Sequence, residues 1–135
     1  MMFTLRRALL AAALLTVGVA ATAMYYADLL CAAFESNPTS GSPQSAARGR
    51  ELFLQACQAC HGPEGRGDGP ATAALAKRPK DLTRIAAPPV FPDGVLAYRI
   101  RNGGEVMPAW KGVLSDAQVW DLVSYIRSQG RKGSV

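Results

Sequence analysis

The only histidine of the chain, His61, closes the pentapeptide Cys57-Gln58-Ala59-Cys60-His61, which also holds two of the three cysteines. That concentration of soft and nitrogen ligands constrains the chain more than any other feature. A single histidine excludes an HExxH zinc protease and any bis-histidine metal site. It also leaves a Ser-His-Asp triad no base but His61. A structural zinc site wants four ligands, and no second Cys/His pair exists to complete one. A redox Cys-x-x-Cys of the thioredoxin type belongs beside a strand–helix–strand unit, for which the sequence offers no strands.

Residues 46–135 are the exported part in this reading, and 90 residues is small for a self-sufficient core. Three helical stretches stand out there. The first runs from about Ala46 to Cys60, with Gly49, Leu52, Phe53 and Ala56 on related faces. The second fits Asp93 to Arg101, with Asp93 as N-cap and Asn102-Gly103-Gly104 as the stop. The third fits Ser115 to Gln129. Ser115 and Gln118 form a capping box, Val119, Leu122, Val123 and Ile126 form the stripe, and Gly130 forms the C-cap. A further helical turn fits 71–76. The expected fold is all-α with long glycine- and proline-rich loops, and helices this sparse cannot enclose a core unless something large and apolar fills the middle.

Cys-x-x-Cys-His is the attachment signature of c-type haem. Two thiols, Cys57 and Cys60, add across the two vinyl groups, and two intervening residues match their separation. His61 then lies under the iron and supplies an imidazole nitrogen. The sixth ligand follows by elimination. No other histidine remains, and Met1, Met2 and Met24 lie in the amino-terminal segment, so Met107 is the one thioether of the domain. Pro108 stiffens the chain just after it. A thioether favours ferrous iron and raises the reduction potential.

With these motifs the domain resembles a class I cytochrome c, the small monohaem bacterial type. The resemblance covers residues 46 to about 130 and rests on CQACHG at 57–62, GDGPA at 67–71, RPKDLT at 78–83, VMPAW at 106–110 and the helix LSDAQVWDLVSYI. It implies three main helices and loops wrapped around one covalent haem c. It also implies that the first and last helices cross with Gly49 and Phe53 against Leu122 and Tyr125. A proline carbonyl, here matched by Pro70, would accept the second N–H of the haem histidine. Trp110 would line the haem pocket, packing on the macrocycle or donating its indole N–H to a propionate. Lys80 and Arg84 would flank the propionates.

The function expected is transfer of single electrons between exported or membrane redox partners, without catalysis. Two alternatives stand beside it. One is a haem subunit of a larger membrane oxidoreductase. The other is a haem enzyme or gas sensor with an open distal site, which would need Met107 off the iron. The net charge of +5 suits redox partners with acidic docking surfaces. The basic cluster Lys77, Arg78, Lys80 and Arg84 is a candidate patch, and no aromatic residues interleave it as nucleic-acid binding would require.

Arg6 and Arg7 precede an uncharged run from Ala8 to Ala27. Twenty helical residues span about 30 Å, the thickness of a hydrocarbon layer. Residues 1–34 are thus a cleaved signal peptide, with Ala21-Thr22-Ala23 as its site, or an uncleaved anchor. Apolar composition as far as Phe34 favours the anchor. Either way the domain is exported, to the periplasmic side of a bacterial inner membrane if anchored, or to the soluble periplasm if not. Cys31 reads as a small apolar residue at the end of the anchor, because Leu30 is bulky where a lipidation site wants a small side chain. Residues 35–45 read by composition as a flexible linker.

Overall fold

The computed structural model describes residues 2–86 and 91–132. Six helices follow one another: α1 (Met2–Ala33), α2 (Pro43–Ala56), α3 (Gln58–His61), α4 (Leu82–Ile85), α5 (Asp93–Asn102) and α6 (Asp116–Lys132), with a 3₁₀ turn at Pro70–Ala74. Among the described residues there is no strand, only an isolated bridge between Lys111 and Leu114. The all-α expectation holds.

α1 is long and apolar enough to cross a membrane by length and composition, over Leu9–Ala33. Along that length its large side chains face outward: Leu14 is 74% exposed and Leu15 70%. A run of exposed apolar side chains of this kind marks a surface that faces lipid or another protein. Among its described side chains the helix buries one, Ala32, at its end.

α2 starts at Pro43, three residues before the expected Ala46. Ser42 caps it by accepting from the Ser45 N–H at 3.2 Å, and Pro43 occupies the first turn where it loses no hydrogen bond. That start signal lies inside the stretch read by composition as linker. Ser45, Gly49 and Phe53 are its buried residues, four apart on one face. The helix does not run through to Cys60. It breaks at Cys57 (φ −114°, ψ −31°), and α3 restarts for one turn.

The domain is built on the crossing of α2 with α6. A Cβ on Gly49 would lie 1.9 Å from the Asp121 carbonyl oxygen. Only glycine lets the two backbones come so close. Phe53 then stacks on Tyr125 with centroids 5.1 Å apart, as the resemblance implied, and Leu122 is buried beside them. The capping box of α6 is present in both directions: the Ser115 N–H donates to Gln118 Oε1 at 2.9 Å, and the Gln118 N–H donates to Ser115 Oγ at 3.3 Å. The stripe Val119, Leu122, Val123 and Ile126 is buried throughout. Gly130, expected as the C-cap, sits within the helix, which continues to Lys132. An internal glycine costs only about 1 kcal/mol.

α5 begins after Pro92, so Asp93 is its first residue and not its cap. The Asp93 carboxylate receives Arg127 Nε of α6 at 2.6 Å. Arg127 also donates to the carbonyls of Ile85, Ala86 and Phe91, tying α4 to the approach of α5. α4 itself was not expected from the sequence. Asp81 caps it, accepting from the Thr83 N–H at 3.0 Å and its hydroxyl at 2.6 Å.

Asp121 adds a polar bolt to the helix crossing. Its carboxylate accepts from Ser45 Oγ at 2.6 Å and from Arg48 Nη2 and Nε at 2.7 and 2.8 Å. Burial pushes its pKa up, but the hydrogen bonds of Arg48 and Ser45 and the Arg48 charge outweigh it and hold the carboxyl below its ordinary value.

Two predictions follow from this crossing. Gly49→Ala should cost about 1–3 kcal/mol or more, because a backbone carbonyl cannot swing aside as a side chain would. Denaturant unfolding of the haem-loaded protein checks it. A carboxyl with a depressed folded pKa contributes stability that is complete above its ordinary value and lost as pH falls through the folded one. The melting temperature should therefore drop below about pH 4, and Asp121→Asn should lower it at neutral pH while flattening that acid limb.

Candidate cofactor site

One turn of backbone brings the soft ligands together. The Cys57 N–H donates to the Phe53 carbonyl at 2.8 Å, ending α2, and the Cys57 carbonyl accepts from the N–H groups of Cys60 and His61 at 3.2 and 2.9 Å. Residues three and four apart in such a turn share one side of it, so both thiols and the imidazole face the same region. Both thiols are free. Burial, and then the neighbouring Cys60, push the Cys57 thiol up to about 11. A redox Cys-x-x-Cys lowers the pKa of its attacking thiol. Here burial raises the Cys57 thiol instead.

His61 is half-buried, and its ring lies 6.4 Å from that of Phe53. Burial lowers its pKa, opposed by a hydrogen bond to a backbone carbonyl. That carbonyl belongs to Lys80, 3.3 Å from Nδ1. Facing an acceptor with no hydrogen, Nδ1 carries the proton, and in the neutral ring Nε2 is left with a free lone pair.

The acceptor expected was Pro70, and the difference has a local cause. The Gly67 N–H donates to the His61 carbonyl at 2.8 Å, and Arg78 Nε donates to the Gly67 carbonyl at 2.9 Å. A Cβ on Gly67 (φ +71°) would lie 2.3 Å from the Pro79 carbonyl oxygen. The 78–81 segment is thus drawn against the turn after His61 and presents the Lys80 carbonyl to the ring. Pro70 is exposed and opens the 3₁₀ turn, which is tied back by Thr72 Oγ1 donating to the Cys60 carbonyl at 3.0 Å.

Met107 lies on a loop pinned at both ends. The Gly104 N–H donates to the Met107 carbonyl at 2.9 Å, and the N–H groups of Trp110 and Lys111 donate to the carbonyls of Ile100 and Arg101 at 3.1 and 2.9 Å. Gly103 holds φ +72° where a Cβ would meet the Met107 carbonyl at 2.5 Å. Leu52, Cys57, Ile85, Met107, Trp110 and Leu114 pack against the buried cluster yet stay only partly covered. Within the basic cluster, Lys77, Arg78 and Arg84 have partners. Lys77 pairs with Glu105 at 2.6 Å, Arg84 reaches Asp81 at 4.0 Å, and Arg78 is spent on the Gly67 carbonyl.

The family model described as cytochrome c oxidase, cbb3-type, subunit III matches residues 44–126. The chain belongs to that family of c-type cytochrome domains. It is 26% identical over 87 residues to a cytochrome c6 of Synechococcus elongatus, covering 64% of this chain and 93% of that one. It is 31% identical over 101 residues to the cbb3-type cytochrome c oxidase subunit FixPc of Rhizobium leguminosarum bv. viciae, covering 68% of this chain but 30% of the relative. A solved chain of the Kuenenia stuttgartiensis reducing HAO-like protein complex superposes with a TM-score of 0.57 at 27% identity, covering 68% of this chain and 46% of that one.

The cofactor of this c-type cytochrome is covalent haem c, and the residues present fit it. The donor set comprises two unpaired thiols, an imidazole with a free nitrogen and a thioether on a pinned loop, beside apolar side chains the protein leaves partly uncovered. Among the described residues no cluster of three or more His, Cys, Asp or Glu offers a competing metal site. In the haem-loaded protein, Gly67→Ala should push the 78–81 segment off the turn and weaken the His61–Lys80 bond. A less basic imidazole holds ferric iron less well, so redox titration should show a raised midpoint potential together with lower stability.

Proposed function

We propose that this c-type cytochrome carries single electrons between redox proteins, with thioether links at Cys57 and Cys60 and with His61 Nε2 and Met107 Sδ as the axial ligands. The observation that carries the proposal is the single turn that ties both thiols to an imidazole whose Nδ1 is engaged by a carbonyl. When bound, the haem supplies an iron that cycles between ferrous and ferric. The chain does the rest. The Lys80 carbonyl orients the His61 ring and raises its basicity. The Met107 thioether pulls the other way, toward the reduced state. Leu52, Ile85 and Trp110, packed against the buried cluster that holds Phe53, would line the haem and exclude water from it, and Pro70, which opens the turn tied to Cys60, would border the pocket.

With His61 and Met107 both on the iron, as proposed, no site would remain there for a substrate. The sole imidazole is also committed, so no distal acid–base group is available for peroxidase-type chemistry. These points support a carrier and not an enzyme. Residues 46–135 form the haem domain in this reading. α1 anchors it, with Arg6 and Arg7 on the cytoplasmic side and the domain on the outer face. The surplus of positive charge favours donors or acceptors with acidic docking surfaces. A second reading, a haem subunit within a larger membrane oxidoreductase, draws support from the oxidase-subunit family and from the structural neighbour in a multiprotein complex.

Met107→Leu should leave haem attachment intact, lower the midpoint potential and let the reduced protein bind carbon monoxide rapidly. The parent protein should bind it slowly. Rapid binding by the parent would mean an open distal site and overturn the carrier assignment.

A further inference from the structure

The segment between α1 and the haem domain is the part of the chain where composition and structure disagree most. By composition, residues 35–45 are a flexible tether. In the structure they are docked on the domain through Asn37, Thr39 and Ser45. Asn37 and Ser45 are buried, at 9% and 0% exposure. Asn37 Nδ2 donates to Ser124 Oγ at 3.1 Å, and its Oδ1 accepts from the Thr39 N–H at 2.9 Å. Thr39 Oγ1 lies 3.1 Å from Ser124 Oγ and 2.9 Å from Ser45 Oγ. The same Ser45 hydroxyl reaches Asp121, so this network continues into the polar bolt of the α2–α6 crossing.

The end of α1 is held separately, by α5. A Cβ on Gly94 would lie 1.7 Å from the Ala32 carbonyl oxygen and 2.7 Å from that of Glu35. Helix end and helix thus touch backbone to backbone. Arg101 grips Glu35 with both Nη atoms, at 2.8 and 3.2 Å, while its Nε donates to Asp116 at 3.0 Å. Its guanidinium lies 5.3 Å over the Trp120 ring. A planar guanidinium engaged on two carboxylates and an aromatic face has little freedom left.

We infer that residues 32–45 form a rigid joint that fixes α1 to the haem domain at one angle, so that the domain presents its haem to a redox partner seated in the same membrane. The inference rests on the reading of α1 as an anchor. Two attachments to different elements, α5 and α6, remove the rotations that a single contact would leave. A tether of nine to eleven coil residues would let the domain wander by on the order of 15–20 Å. The joint removes that search volume. A partner embedded beside α1 meets the haem at a constant height and orientation, whereas a partner diffusing in solution gains nothing from it.

Paired nitroxide labels on Val19→Cys and Val113→Cys, in a Cys31→Ser background, test the joint in the haem-loaded protein in lipid nanodiscs. Both sites are exposed, at 62% and 68%. A narrow distance distribution is expected, lost in Gly94→Leu. The pair Glu35→Ala with Asn37→Ala gives the same loss should Gly94→Leu not fold. An unchanged haem spectrum in these variants shows that the domain itself is intact. A broad distribution in the parent protein overturns the joint. An intact mass lacking residues 1–23 overturns the anchor instead, and the proposal with it.

Discussion

The approach of α2 to α6 at Gly49 governs everything downstream of it. Because glycine lets the Asp121 carbonyl come into contact with α2, Phe53 reaches Tyr125 one turn later, and one turn beyond Phe53 the helix ends at Cys57. The break at Cys57 sets the direction in which α3 presents Cys60 and His61. Displacing α2 by the width of a methyl group would move the thiols and the imidazole together. The polar contacts of Asp121 with Ser45 and Arg48 fix the register of the same crossing from its solvent side. Stability and ligand geometry therefore rest on one helix contact.

The site is assembled from backbone as much as from side chains. His61 is oriented by a carbonyl, Met107 is held by hydrogen bonds to and beyond its own main chain, and the 78–81 segment is positioned by Gly67 and Arg78. Glycines at 67 and 103 serve close approach with positive φ. With His61 and Met107 as the proposed ligands, such an arrangement would let them stay still while the charge of the iron changes. Rigid ligation is what outer-sphere electron transfer requires, since each movement of a ligand between redox states would slow the exchange.

How much of this could be read from the chain depended on where the information lies. The proposed ligand set is carried by rare residue types at fixed spacing, so the Cys57, Cys60 and His61 cluster and Met107 stood out. The α6 capping box and stripe are local and periodic, and both are present. The Lys80 carbonyl was not legible, because a backbone acceptor leaves no mark in residue identity; Pro70 looked better on resemblance alone. The docked segment 35–45 was missed for a related reason. Ser, Thr, Asn and Pro are the residues of linkers, but they are also those that cap helices and build buried hydroxyl networks. Partners on α6 decide between the two, and these lie more than eighty residues away for Asn37 and Thr39. Gly130 failed as a stop because tertiary burial of α6 outweighs its small propensity cost.

The central claim is that His61 and Met107 close the iron from both sides. Proton NMR of the reduced protein measures this directly, because a methionine methyl held over a haem face is shifted far upfield by the ring current. One three-proton resonance in that region, absent from Met107→Leu, is the expected result. A spectrum of the parent protein without it would contradict the account.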